Sequence, residues 1–220
     1  MKDDAGRETA GPPYCYDYPR PAVTIDLAIF ALAADGLRVL LVRRKHDPFA
    51  GHWALPGGFL EIEETIEDGA RRELREETGF AATGPIAFLG AFGALGRDSR
   101  GRTISLAHAG VLRGVPPPVK GGDDAEDAAW RPARAAGPLA FDHDAMLAAA
   151  LAWLATGVQS GRLGLELLPE EFAEAEVKAM HRAIFDSPED AGQWLNRMEE
   201  QNRIGIRTGS GGHYHALDPA

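Results

Sequence analysis

The 220-residue chain predicts an α/β (α+β) fold: a mixed sheet with helices packed on it, followed by a smaller module. Three observations carry this. Strand-like and helix-like segments alternate through the first 140 residues, an Ala- and Leu-rich helical pattern takes over past Pro138, and the chain closes on two β-like arms. The first dozen residues are polar and rich in Gly and Pro and read as a tail. Residues 22–33 then alternate as a strand through Val23, Ile25, Leu27, Ile29 and Leu32. Ala34-Asp35-Gly36 is a hairpin turn, and residues 37–42 (LRVLLV) return. Residues 64–78 are helical, with Gly79 as the stop. Short β-like runs follow at 85–92 and 103–112, and a Pro/Gly/Asp-rich loop at 114–127 separates them from another at 128–131.

The second half has its own pattern. Residues 146–156 form an apolar helix before a Gly-rich connector. Ala173, Val177, Met180 and Ile184 recur at helical spacing. Ser187-Pro188-Glu189-Asp190 starts a further helix, with Ser at the N-cap and Pro at the first helical position, whose apolar stripe is Ala191, Trp194, Leu195 and Met198. Residues 204–217 carry two strand-like arms around Gly-Ser-Gly-Gly. Helix, helix and hairpin in that order predict a small winged-helix-like module. The expected division is a tail over 1–20, a larger domain over 21–140 and the winged module over 141–220.

Composition narrows the function classes. With 23 Lys+Arg against 33 Asp+Glu the formal charge is −10, which argues against a protein built mainly to bind nucleic acid. A single cysteine, Cys15, excludes an internal disulfide and a multi-cysteine zinc site. The N-terminal stretch is acidic and lacks an apolar core, and the longest nearly apolar run, 145–155, is far short of a membrane span. A soluble, cytoplasmic protein without a membrane partner is expected.

The chemistry concentrates in residues 58–80, GFLEIEETIEDGARRELREETGF. On one helix Glu73, Glu76 and Glu77 stand at i, i+3 and i+4 and share a face. Carboxylates that close repel, and a divalent cation among them relieves the repulsion; hard oxygen donors suit Mg²⁺ or Mn²⁺. Arg72, one turn before Glu76, can pair with it and orient it. Pro56-Gly57-Gly58 lets backbone approach the site closely. A Glu-rich helix taken alone is usually a solvated face, so the weight rests on the longer pattern.

That pattern resembles the Nudix box: Gly, five residues, Glu, seven residues, then Arg-Glu-apolar-x-Glu-Glu-x-Gly-apolar. Gly58, Glu64, Arg72, Glu73, Leu74, Glu76, Glu77, Gly79 and Phe80 meet every defined position. The resemblance implies a Nudix α/β/α sandwich and a metal-dependent hydrolase that cleaves a nucleoside diphosphate linked to another group. It implies Glu73 and Glu77 as metal ligands, with Glu76 as third ligand or orienter and the Gly58 carbonyl as a further ligand. Catalytic roles fall to Glu73, Glu76, Arg72 and Glu64, the last two supporting the site electrostatically. The base that takes the proton of the attacking water stays open among Glu73, Asp123, Asp124 and Glu126.

Residues 93–105 contain Arg97, Asp98, Arg100 and Arg102, three arginines in six residues able to grip phosphates. This GRDSRGR stretch resembles that of Nudix proteins acting on ADP-ribose, as do Tyr16-Asp17-Tyr18-Pro19-Arg20-Pro21 and Leu139-Ala140-Phe141-Asp142-His143. ADP-ribose, cleaved to AMP and ribose 5-phosphate, is the expected substrate, its adenine stacked on Tyr16, Tyr18 or Phe49. His143 is expected to be a hydrogen-bonded structural residue, and Trp53 and Trp130 core residues.

A Nudix domain followed by a winged helix resembles the NrtR-type regulators of NAD metabolism, in which the winged helix of a homodimer binds operator DNA. That is the alternative function, with DNA as a second partner. Against it, residues 141–220 hold 6 basic and 13 acidic residues, and residues 190–201 (DAGQWLNRMEEQ) carry only Arg197 where those regulators are strongly basic. Arg203, Arg207, His213 and His215 offer a weak basic edge along the wing.

Overall fold

The computed structural model describes residues 17–81, 84–122, 125–185, 191–206 and 213–217. Cys15, Tyr16, Asp123, Asp124, the Ser187–Asp190 start signal, Arg207 and the Gly-rich tip of the last hairpin lie outside these residues.

Strand β1 (Ala22–Ala33) is the axis of the sheet. Its side chains from Thr24 to Ala31 are all buried, so both faces of the strand are covered, which is why the run is apolar beyond simple alternation. β2 (Gly36–Arg44) returns antiparallel through a two-residue turn, pairing Ala33 with Gly36. On its other side β1 runs parallel to β6 (Thr103–Leu112), from Ala22 opposite Thr103 to Ala31 opposite Leu112. β5 (Ala87–Phe92) extends the sheet beyond β6, and β3 (Trp53–Ala54) and β7 (Ala125–Pro132) pair with β2. The three-residue strand β4 (Gly57–Phe59) pairs with the start of β1, placing Gly57 opposite Asp26 and Gly58 opposite Ile25. Parallel and antiparallel pairs coexist, so the sheet is mixed, as expected. β3 and β4 are too short to leave a periodic signal in the sequence.

Helices cover both faces. α1 (Ile66–Thr78) packs Ala70 and Leu74 on Ile25, Leu27, Ile29 and Leu40. α2 (His143–Gln159) lies on the opposite face, where Met146, Leu147, Ala150 and Leu154 meet Ala28, Phe30, Val39 and Leu41. The odd and even positions of β1 thus serve two cores, giving three layers.

The same core that holds α2 continues into the C-terminal elements: α3 (Gly164–Leu167), β8 (Glu171–Ala173), α4 (Glu174–Phe185) and α5 (Ala191–Glu200). β9 (Ile204–Ile206) and β10 (His213–Ala216) form with β8 a three-stranded antiparallel sheet in the order β8-β10-β9. Two helices followed by a strand pair is the winged-helix arrangement the sequence predicts. Val177, Met180, Ile184, Ala191, Trp194, Leu195 and Met198 are buried as their spacing requires, while Ala173 belongs to β8. The Trp194 indole N–H donates to the Val158 carbonyl near the end of α2 at 2.9 Å. Arg134, just past β7, donates to the carbonyls of Ala183 and Ile184, filling acceptors that the end of α4 leaves open. Among the described residues no helix is long and apolar enough to cross a membrane.

Candidate active site

The site grows from the ends of α1. Thr65 caps the N-terminus, its hydroxyl accepting from the Asp68 N–H at 3.2 Å, and Gly79 ends the helix at φ 66°, where a side chain would be strained. Between these stops Arg72 is the hub. Its guanidinium donates to both oxygens of Glu64 (3.0 and 2.7 Å), to Glu73 (2.8 Å), to Glu76 (3.1 Å) and to the Phe59 carbonyl (3.0 Å). One guanidinium is thus shared by three carboxylates and tied to the end of β4. The hydrogen bond from Arg72 holds the Glu64 carboxyl below its ordinary range, whereas burial pushes Glu73 up.

Glu77 is treated differently. Its carboxylate accepts only the Gly57 N–H, at 2.8 Å, and has no cation within ion-pair distance among the described residues. Burial, reinforced by the charges of Glu73 and Asp26, pushes its carboxyl up to about 8. Gly57 and Gly58 are glycines because nothing larger fits. A β-carbon on Gly57 would collide with the Ile25 carbonyl, and one on Gly58 with the Glu73 carboxylate.

A cavity of about 410 Å³ opens in front of these groups. Its lining divides by chemistry: Gly57, Gly58, Arg72, Glu73, Glu76 and Glu77 make an acidic wall, and Arg44, Arg97, Asp98, Arg100 and Phe141 a guanidinium wall. Glu64 stands behind Arg72, outside the lining. Arg97 is clamped by Asp142 through contacts of 2.6 to 3.1 Å, its side chain only 4% exposed. Arg100 is paired with Asp98 at 2.7 and 3.0 Å, and its guanidinium lies over Phe59 and Phe141. Arg102 lies outside the lining and instead donates to the Gly93 and Ala94 carbonyls, winding the loop on itself. Of the four loop residues, three therefore reach the cavity, two of them arginines already neutralised by an acid.

Two cavity residues, Arg44 and Asp26, carry no signal in their own segments, and a third, His143, closes the LAFDH stretch. Arg44, at the end of β2, donates to the Pro48 and His46 carbonyls and sits 4.8 Å over the Phe141 ring. No carboxylate of the described residues is within ion-pair distance of it; burial, then the charge of Arg100, lowers its basicity against the opposing charges of Glu77, Asp98 and Asp26. Asp26, on β1, accepts from the Ser105 hydroxyl and lies 3.5 Å from His143 Nε2. His143 is buried as expected, accepting the Leu55 N–H at Nδ1 (3.0 Å), and it also reaches the cavity.

Among the remaining candidates, Phe49 packs against Phe141 at 4.8 Å and lines an adjoining space with Pro48, Arg97 and Arg100. Tyr18 is 80% exposed. Glu126 is exposed, 3.6 Å from Arg43, and does not line the main cavity. Trp53 and Trp130 are half-buried against the core, Trp130 donating to the Pro117 carbonyl at 2.8 Å.

The donors suit a hard divalent cation: oxygen ligands only, with a buried acid lacking a cation partner beside a second carboxylate. Among the described residues no three acids or histidines converge as a preformed ligand set, because Arg72 already engages Glu73 and Glu76. Glu73, Glu76, Glu77 and Gly58, the expected ligands, all line the cavity, and of the three acids only Glu77 is outside the Arg72 clamp.

Residues 24–154 match the NUDIX domain. The chain belongs to the Nudix family. It is 36% identical over 136 residues to an ADP-ribose pyrophosphatase of Methanocaldococcus jannaschii, covering 62% of this chain and 76% of that one. It is 28% identical over 192 residues to the ADPR responsive transcriptional repressor NtrR of Acinetobacter baylyi, covering 86% and 76%. The crystal structure of Shewanella oneidensis NrtR superposes with a TM-score of 0.72 at 26% identity, over 90% of this chain and 94% of that one. The Nudix match reaches into α2, whose first residue is the cavity histidine, and the NtrR and NrtR similarities run on into the C-terminal module.

Proposed function

We propose that the protein hydrolyses the diphosphate of ADP-ribose, giving AMP and ribose 5-phosphate, with Mg²⁺ or Mn²⁺ held by Glu73 and Glu77. The observation that carries this is a cavity lined by the carboxylates of α1 and by arginines, in which Glu77 and Arg44 are the wall groups without an ion pair among the described residues. A cation and a diphosphate brought together complement both. When bound, the cation supplies charge neutralisation of the diphosphate and acidification of water. Arg72 holds Glu64, Glu73 and Glu76 in place, so that the carboxylates are oriented before the ligand arrives. Arg44 and Arg100 face the phosphates, and Phe141 with Phe49 supplies the ring surface for the adenine. The similarity to the ADP-ribose pyrophosphatase supports the choice of substrate.

A second reading is favoured by the extent of the NtrR similarity, which runs through the winged module: an ADP-ribose-responsive, homodimeric DNA-binding regulator. The exposed residues of α5 are Gly192, Gln193, Asn196, Arg197 and Glu200, a single cation offset by an acid, so enzyme is the stronger reading.

A panel of nucleoside diphosphate derivatives with Mg²⁺ or Mn²⁺, analysed by chromatography, tests the first reading: ADP-ribose is expected to be the best substrate, and no turnover of any member contradicts it. Duplex DNA from upstream of NAD-metabolism genes tests the second. A salt-sensitive, sequence-specific complex at nanomolar protein would establish the regulator; only weak, non-specific binding is expected.

A further inference from the structure

The carboxylates that reach the cavity are nearly all spoken for. Glu73 and Glu76 are held by Arg72 and Asp98 by Arg100, while Glu77 is assigned above to the cation. Asp47 and Glu61 are exposed at the rim. Asp26 is the exception. It is 6% exposed, and no arginine lies within ion-pair distance of it among the described residues. It sits across the β1–β4 pair from Gly57, the residue whose N–H binds Glu77, and a β-carbon on Gly57 would be 2.8 Å from Asp26 Oδ1. This carboxylate therefore stands next to the acidic wall without being part of the Arg72 clamp.

Its surroundings orient it. The Ser105 hydroxyl donates to Oδ2 from the neighbouring strand β6. Because the Leu55 N–H donates to His143 Nδ1, that nitrogen carries the lone pair, and the neutral ring carries its proton on Nε2, the atom 3.5 Å from Asp26 Oδ1. Burial keeps the imidazole neutral by pushing its basicity down. A carboxylate has about four lone-pair sites. One donor on Oδ2 and one long contact on Oδ1 leave acceptor capacity towards the cavity.

We propose that Asp26 is the catalytic residue that accepts the proton of the attacking water, with Ser105 and His143 as positioning residues that lock its carboxylate. This rests on the hydrolytic reading above. The water oxygen bonds to phosphorus and one water proton passes to Asp26. The bridging P–O bond breaks with its electron pair retained by the departing phosphate, and Asp26 releases the proton to solvent.

The test uses the full chain, ADP-ribose and Mg²⁺. Asp26→Asn keeps the shape and an acceptor for Ser105. It is expected to lower kcat by about 10²-fold or more, the usual worth of a positioned base, while leaving KM, Tm and the affinity for Mn²⁺ alone, measured by electron paramagnetic resonance, within about threefold. Asp26→Ala opens room for a small acid, and added formate is expected to restore part of kcat. His143→Gln, which keeps a donor near Nε2, is expected to retain more kcat than His143→Leu. Asp26→Asn with kcat within threefold of wild type overturns the proposal. So does a loss of Mn²⁺ affinity in step with kcat, which would make Asp26 a ligand, and so does an Asp26→Ala protein with wild-type Tm that formate does not rescue. No turnover by the wild-type protein overturns the hydrolytic reading first and this one with it. Turnover undiminished in the variant overturns this one alone.

Discussion

The two walls of the cavity handle charge in opposite ways. On the acidic wall one guanidinium, Arg72, serves three carboxylates and leaves Glu77 with a single backbone donor. On the guanidinium wall the pairing is one to one, Arg97 with Asp142 and Arg100 with Asp98, and Arg44 is left with carbonyls alone. Glu77 and Arg44 are thus the two wall groups without an ion pair among the described residues, each within reach of the other's field. The difference teaches where binding energy resides. Arg97 and Arg100 are already paired with acids of the protein, although Arg100 still faces the cavity, whereas Glu77 and Arg44 gain most from a ligand, because each, in a partly desolvated place, has no ion pair among the described residues.

This contrast can be broken from either side, and the acidic wall gives the largest effect. Glu77→Gln keeps the acceptor for Gly57 but removes the charge, and is expected to lower kcat/KM for ADP-ribose on the order of a thousandfold, as seen when a single preorganised electrostatic group is lost. Steady-state kinetics checks this, with ADP-ribose binding retained as the control. Next comes Arg44→Met, which preserves packing on Phe141. It is expected to raise KM by about 10- to 100-fold, the worth of one charge-assisted contact, with a smaller change in kcat. A loss confined to kcat would remove Arg44 from ligand binding.

The third effect is on stability, in chelator. A carboxyl raised to about 8 in the folded chain binds its proton more tightly there than when unfolded. Its contribution is therefore fully present below pH 4.5 and is lost as pH rises towards and through 8. The metal-free protein is expected to lose Tm over that window, Glu77→Gln to lose less, and the two to converge near pH 4.5. A wider gap at low pH than at pH 8 would contradict the assignment. The smallest effect is expected from Arg102→Gln, which touches only the Gly93 and Ala94 carbonyls: activity within about threefold of wild type.

Much of the acidic wall was legible because it is local. Arg72, Glu73, Glu76 and Glu77 occupy consecutive turns of α1, so helical spacing alone brings them together, and Thr65 and Gly79 mark the ends of that helix. The opposite wall was half legible. The loop arginines stood out by density, but the acid each answers to is visible only in three dimensions: Arg97 finds Asp142 forty-five residues on, and Arg102 turns away from the cavity. Asp26 and Arg44 had no local signature, and His143, though it closes the LAFDH stretch, gave no sign of its place in the cavity. They meet because β4 pairs with the start of β1 and because Leu55 hydrogen-bonds a histidine 88 residues away. The winged-helix order was readable from helical stripes at 177–184 and 191–198, since burial there repeats with the helix. The three-residue strand β8 was not, because so short a run leaves no period.

The most direct test of the two-wall account is ³¹P nuclear magnetic resonance of ADP-ribose incubated with the full chain and Mg²⁺ in ¹⁸O-labelled water. The account predicts that the diphosphate resonances give way to those of AMP and ribose 5-phosphate, with label on one product only, and that chelator or Glu77→Gln stops the change. Diphosphate signals that persist unchanged with the wild-type protein, or that disappear as fast with Glu77→Gln, would contradict it.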